Sequence, residues 1–277
     1  MRKFVILGLT LIVLGGFALA DKTITIRGSD TMLILGQRWA EVYMKKNPDS
    51  RIQISGGGSV VGIASLINGT TDITQASRHM YKEEEDSLIS KRGKRAVEFR
   101  VALDAITLYV SDKNPVESLT FDQLQEIFQG RITNWKEVGG RDARIVLYGR
   151  EITSGTREFI RMMVLNMGDY DRLFQSLPGT AAIVNAVAKD ENGIGYGGVA
   201  YAKGVKRMKV ALDEGSGYYL PEREYVMTGQ YPLARYLYWY TAGPPKGEIK
   251  KLLDWVLSPE GQGVVEEVGY FPLVTRE

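Results

Sequence analysis

The sequence predicts an α/β protein of two lobes, each a mixed, mostly parallel sheet flanked by helices, with two crossing strands joining the lobes. Three observations lead there. A strand, a glycine- or serine-bearing turn and a helix recur in that order along the chain, the pattern of parallel sheets. Two β segments, "VEFRVALDAITLYVS" and "ARYLYWYT", can each pass from one unit to another, and the first is too long for one ordinary strand. A length of 277 residues accommodates two units of ordinary size. The expected division is a leader at 1–20, a first lobe from 21–104 and 232–277, and a second lobe from 105–231.

The leader is "MRKFVILGLTLIVLGGFALA": Arg2 and Lys3, an apolar run from Phe4 to Phe17, then Ala18-Leu19-Ala20 as a small-x-small cleavage site. It reads as a secretory signal cut before Asp21. The alternative, an uncleaved anchor, would be at the short limit for spanning a bilayer. In the first lobe, "KTITIRGSD" alternates as a strand and runs into Gly28-Ser29-Asp30-Thr31, with "MLILGQRWAEVYMKKNP" as the helix behind it. "RIQIS" runs into Gly56-Gly57-Gly58-Ser59 and the helix "VVGIASLING". "TDITQASRHM" is a short strand ending on Ser77-Arg78, followed by the charged helix of "YKEEEDSLISKRGKRA". In the second lobe, "TFDQLQEIF" opens with a capping box of Thr120 and Gln123. "ARIVLYGR" then leads into "GREITSGTREF", whose helix sets Phe159, Ile160, Met163 and Val164 on one face. "NGIGYGGVAYA" and "VKRMKVAL" are further strands, and "EIKKLLDWVL" and "EGQGVVEEVG" are closing helices.

Composition removes several classes of function. Taking Arg2 and Lys3 from the 35 basic residues leaves 33, equal to the 33 acidic ones. A mature chain so balanced lacks the basic surplus of a nucleic-acid binder. There is no cysteine and one histidine, His79. Disulfides, attachment of lipid through a cysteine and the usual zinc sites are therefore excluded, and His79 reads as incidental. No Gly-x-Ser-x-Gly elbow and no phosphate-cradling Gly-x-x-x-x-Gly-Lys loop occurs, which speaks against a serine hydrolase and a nucleotide hydrolase. No metal and no cofactor is expected. The chain reads as an exported, soluble, monomeric, non-catalytic protein that is not a lipoprotein.

Three turns share one design: Gly28-Ser29-Asp30-Thr31, Gly58-Ser59 and Ser154-Gly155-Thr156. Each follows a strand and opens a helix, where bare N–H groups and the positive end of the dipole favour an anion. Ligands of open α/β sheets gather at those carboxyl ends. Arg150 ends a strand in the second lobe and Arg78 one in the first, so both are candidate cations for the site. Hydroxyls, amides and a planar guanidinium suit tetrahedral oxygens. The plainer reading makes Ser29, Thr31 and Ser59 helix caps and Arg78 a surface residue. Asp72 and Asp104 read as solvated or capping groups.

At these residues the chain resembles the periplasmic phosphate-binding proteins of phosphate ABC transporters. The motifs "RGSDTM", "GGGSVVGI", "ITQASR", "LTFDQLQEIFQGRITNWKEVGG", "GREITSGTREF" and "NGIGYGGVAYA" follow that family's order across the mature chain. The resemblance implies the periplasmic-binding-protein fold of type II and a location in the periplasm or otherwise outside the cytoplasm. It also implies a ligand, inorganic phosphate, and a partner, the membrane permease of an ABC transporter. It gives phosphate contacts to Thr31 and the Met32 amide, Ser59, Arg150, Ser154, Gly155 and Thr156. Ser29, Asp30 and Arg78 complete the expected set. One position departs: where the family form carries an aspartate that accepts the proton of phosphate, this chain has Arg78, and Asp30 is the nearest replacement. A sulfate-like oxyanion is the alternative ligand, and a secreted hydrolase the alternative from another class.

Overall fold

The computed structural model describes residues 23–273. The leader expected at 1–20 and its cleavage site lie outside the described residues. Among the described residues no helix is long and apolar enough to cross a membrane, and no group of three acidic or histidine side chains could hold a metal ion.

The first half alternates as its sequence requires: β1 (Ile24–Gly28), α1 (Leu33–Lys46), β2 (Ile52–Ser55), α2 (Ser59–Asn68), β3 (Ile73–Ala76), α3 (Lys82–Arg92) and the fifteen-residue β4 (Ala96–Val110). The second half runs β5 (Ser118–Thr120), α4 (Phe121–Phe128), β6 (Val146–Arg150), α5 (Gly155–Met163), β7 (Gln175–Leu177), α6 (Gly179–Lys189), β8 (Gly193–Gly198), β9 (Lys206–Arg207), β10 (Lys209–Ala211) and α7 (Arg223–Met227). The chain then returns through β11 (Ala234–Ala242) to α8 (Gly247–Val256) and α9 (Pro259–Val268). The capping box at Thr120 and Gln123 forms as its spacing predicts, with bonds of 3.0 and 3.2 Å.

One curled mixed sheet runs β2-β1-β3-β11-β4-β8-β6-β7. β1 is parallel to both β2 and β3, β11 is antiparallel to β3 and β4, and β6 is parallel to both β7 and β8. β4 carries the sheet from one half to the other. Its residues Ala96–Ala105 face β11, and Ile106–Val110 face β8. β11 begins opposite the changeover, with Ala234 paired to Ala105, so the return crossing is made where the chain enters that strand.

The apolar core divides accordingly. Trp39, Leu35, Trp239, Leu252 and Val265 pack on one face of the first half, with Ile63, Leu66, Leu88 and Tyr240 on the other. Leu108, Val110, Leu124, Phe128, Trp135 and Ile160 form the larger core of the second half, while Tyr109, between two of those positions in β4, packs on the opposite face with Ile183 and Val187. In α5, Phe159, Ile160 and Val164 are buried as their spacing predicts, but Met163, where the helix ends, is 39% exposed. Phe271, placed by its position with the first lobe, packs in the second half's core and exchanges backbone bonds of 2.9 and 3.0 Å with Leu103.

Candidate anion-binding site

The carboxyl ends of β1, β3 and β6 converge where the two halves of the sheet meet. Beyond β1, Ser29 leads into a one-turn 3-10 helix, Asp30–Met32, that feeds α1. Beyond β2, the glycine turn ends at Gly58, the residue before α2. Beyond β6, Ser154 caps α5, its hydroxyl oxygen accepting from the Thr156 and Arg157 amides at 3.2 and 3.3 Å. These starts aim amides and dipoles at one small volume.

Hydroxyls from both halves fill that volume. Ser29 Oγ donates to Ser77 Oγ at 2.9 Å, the Ser77 amide donates to Ser59 Oγ at 3.0 Å, and Thr31 and Thr156 share a bond of 2.8 Å across the lobe boundary. All five side chains are essentially buried. Gly155 shows how tightly the halves meet: a Cβ there would lie 2.4 Å from Ser59 Oγ and 2.8 Å from Ser77 Oγ. The Ser-Gly-Thr turn thus needs its glycine for close approach, and the same holds for Gly58. That residue combines φ +92° with a Cβ position 2.4 Å from the Thr153 carbonyl oxygen. Beside it the Val60 amide donates to that same oxygen at 3.1 Å.

Two buried guanidinium groups stand against this cluster. Arg150, 1% exposed, donates to Asp30 at 2.6 Å, to both oxygens of Glu151 at 2.7 and 3.0 Å and to Thr180 at 3.1 Å. Burial opposes its charge, but Glu151 and Asp30 outweigh that and hold its pKa above the ordinary arginine value. Arg235 donates to Asp104 at 3.1 and 3.2 Å, to the Ser77 carbonyl at 2.8 Å and to Thr156 Oγ1 at 2.8 Å. Burial pushes the Asp104 carboxyl up and the Arg235 guanidinium down, and their mutual attraction offsets part of both shifts. Two arginines here face the three carboxylates of Asp30, Glu151 and Asp104. An anion would therefore be held by directed N–H and O–H groups, not by surplus positive charge.

Of the residues expected at the site, Ser29, Asp30, Thr31, Ser59, Arg150, Ser154, Gly155 and Thr156 come together. Met32 is buried beside them, with its amide turned to the Ser29 carbonyl at 3.1 Å. Arg78 is a correction. Its guanidinium turns away from the cluster to Glu84, with bonds of 2.7 and 2.8 Å, and lies 4.1 Å from the centre of the Tyr81 ring. The cause is local: Glu84 occupies the third position of α3 and reaches back to the Tyr81 amide at 2.8 Å, so a carboxylate waits six residues from the arginine. Asp30 is present but committed, one oxygen to Arg150 and the other to the Gly57 amide at 3.0 Å. Asp104 is not solvated: it is fully buried, one oxygen pairs with Arg235, and the other accepts from the Val199 amide at 3.4 Å, at the start of the 3-10 turn Val199–Tyr201, the capping role its sequence reading allowed.

Comparison with known proteins places this geometry. A family model described as a PBP superfamily domain matches residues 18–260. A phosphate-binding protein PstS of Pseudomonas aeruginosa is 34% identical over 266 residues, covering 90% of this chain and 82% of its own. The chain belongs to the PstS family of phosphate-binding proteins, within the PBP superfamily. The PstS of Bacillus subtilis is 31% identical, with 93% of this chain and 84% of its own length covered. Among solved structures, a Clostridium perfringens protein described as a candidate phosphate ABC transporter substrate-binding protein, with bound phosphate, superposes with a TM-score of 0.81. It is 31% identical and covers 91% of this chain and all of its own. An ABC-type phosphate transport receptor of Vibrio cholerae gives 0.72 at 26% identity, over 90% of this chain. The fold of this PstS-family chain is thus the two-lobed α/β fold that its sequence predicts.

Sequence reasoning passed over Ser77, Arg235 and Thr180 in this PstS-family chain and gave Asp104 only a solvated or capping role. Three of the four carried a signal. Asp104 and Arg235 are charges of opposite sign set in the two most apolar β segments, and they are direct register partners. Ser77 follows β3 as Ser29 follows β1, so the strand-end rule that selected one selects the other. Thr180 carried none, because its partner Arg150 lies 30 residues away.

Proposed function

We propose that the chain captures inorganic phosphate between its two lobes and delivers it to the permease of an ABC transporter, without catalysing a reaction. The observation that carries this reading is the convergence of three helix starts, five buried hydroxyls and Arg150 on one point at the lobe boundary. Its chemistry suits a dehydrated tetrahedral anion, and relatives named for phosphate binding share most of the chain. The lobes are taken as 21–104 with 232–277, and 105–231, closing like a hinged trap. Ser29, Asp30, Thr31, Met32, Ser59, Ser77, Arg150, Ser154, Gly155 and Thr156 form the phosphate site. The protein acts as an exported monomer after loss of its leader. Each charge-assisted bond contributes about 1.5–3 kcal/mol and each helix start about 0.3–1 kcal/mol, enough together for micromolar or tighter binding.

A second reading, another tetrahedral oxyanion such as sulfate, is favoured by one observation: both Asp30 oxygens already accept bonds, and Arg78 offers no acceptor. Calorimetry of the mature chain, freed of retained anion, separates the two. Tight phosphate binding with no response to sulfate is the expected result. Equal binding of both would transfer the chain to the second reading, and no binding of either would overturn the transport function.

A further inference from the structure

Arg78 belongs to a second assembly on the lobe boundary. Held by Glu84 and by the His79 carbonyl at 2.7 Å, its guanidinium backs the Tyr81 ring. The Tyr81 hydroxyl then crosses the boundary and donates to Glu158 Oε1 at 3.1 Å. Glu158 lies in the first turn of α5, the helix whose start forms one jaw of the cradle, and Arg161 fixes its other oxygen at 3.1 Å.

Behind this hydrogen bond lies a cavity of about 290 Å³ between the lobes. Its buried end is walled by Ser77, Phe159 and Arg235, two of them members of the cradle cluster, and its outer end by His79, Tyr81 and Met162. That volume is several times the roughly 30 Å³ share of one water, so a small hydrated anion has room in it. The cradle hydroxyls are buried, so an anion reaches them only where the boundary parts. The boundary is closed elsewhere by the Arg150–Asp30 ion pair and by the backbone bond from Val60 to Thr153. A partly exposed tyrosine–carboxylate bond is easier to break than a buried ion pair, because water replaces what is lost.

We propose that this cavity is the route by which the anion reaches and leaves the cradle, and that the Tyr81–Glu158 bond is its gate. Arg78 is the positioning residue that holds the gate shut, not a ligand of the anion. The proposal rests on the phosphate reading above.

The test measures association of phosphate by rapid mixing and release by chasing radiolabelled phosphate, on the mature chain and on Tyr81→Phe, Glu158→Ala, Arg78→Met and Met162→Trp. Opening the gate should raise both rates about 5–10-fold in the first three variants and leave Kd within about 3-fold. Met162→Trp, which fills the outer end of the cavity, should lower both rates at least about 3-fold. If the parent binds phosphate and neither Tyr81→Phe nor Met162→Trp moves the rates by more than about 2-fold, the gate is overturned alone. Faster release with unchanged association would make the pair a closing contact only and would also overturn it. Failure of the parent chain to bind phosphate would overturn the gate and the transport function together.

Discussion

Arg150 and Arg78 each stand at the carboxyl end of a parallel strand, each is buried, and each is paired to a carboxylate by two bonds. Sequence reasoning gave them one role. The structure separates them, and the difference lies in the segment after each strand. After β6 the chain turns within four residues into α5, with Glu151 next in sequence gripping the guanidinium from the side. The group stays aimed at the helix starts. After β3 the chain runs through His79 and Met80 to α3, whose Glu84 draws Arg78 outward beneath Tyr81. A strand-end arginine is therefore assigned by its nearest carboxylate, not by the strand.

Arg235 sharpens the contrast because its partner, Asp104, sits opposite it inside the sheet. Asp104→Ala leaves a buried guanidinium without its counter-charge, and chemical denaturation should show a loss of about 3–5 kcal/mol. A loss under about 1 kcal/mol would mean that water reaches the cluster and screens the pair. Arg150→Ala comes next. It removes the proposed donor to the anion and leaves Asp30 and Glu151 facing the site, so calorimetry should show phosphate Kd rising about 100-fold, near 2.7 kcal/mol. Arg78→Met in the same assay should stay within about 3-fold. Reversed outcomes for these two arginines would break the comparison.

Gly155→Ala tests how closely the halves must meet. The added Cβ would press on Ser59 and Ser77 from across the boundary. Because the clash is between lobes and not inside either core, denaturation should change little while phosphate affinity falls about 10–30-fold. An equal fall in stability would place the strain within α5 instead.

Much of this architecture was legible in the sequence because it rests on local patterns. The three turns, the capping box at Thr120 and the length of β4 each depend on residues close in the chain. The lobe crossing followed from β4 because its fifteen residues exceed what one sheet edge needs. What escaped depends on distant partners. Arg78 could not be placed without knowing that the third residue of α3 would reach back. Thr180 gained a role only once β7 lay beside β6. The pairing of Asp104 escaped because a lone acid in a β segment is ambiguous until the facing strand is known; the register with Arg235 resolves it. The hydroxyl of Ser154 took the capping role that its position allowed, and its placement in the cluster comes from the same turn.

The smallest expected effect concerns acid. Burial pushes the Glu151 carboxyl up, but the bonds and charge of Arg150 outweigh it and hold the group below the usual value of 4.5. A carboxyl with a lowered folded pKa stabilises the fold fully above its unfolded value and loses that contribution as pH falls through the folded one. The stabilisation should therefore be complete above about pH 5 and decline below 4.5, with Glu151 giving less than about 1 kcal/mol of it because the pair is partly open to solvent. Glu151→Gln should flatten that part of the stability curve while leaving its neutral plateau within about 1 kcal/mol. A neutral plateau that falls further than this would mean that Arg150 depends on Glu151 for energy and not only for aim.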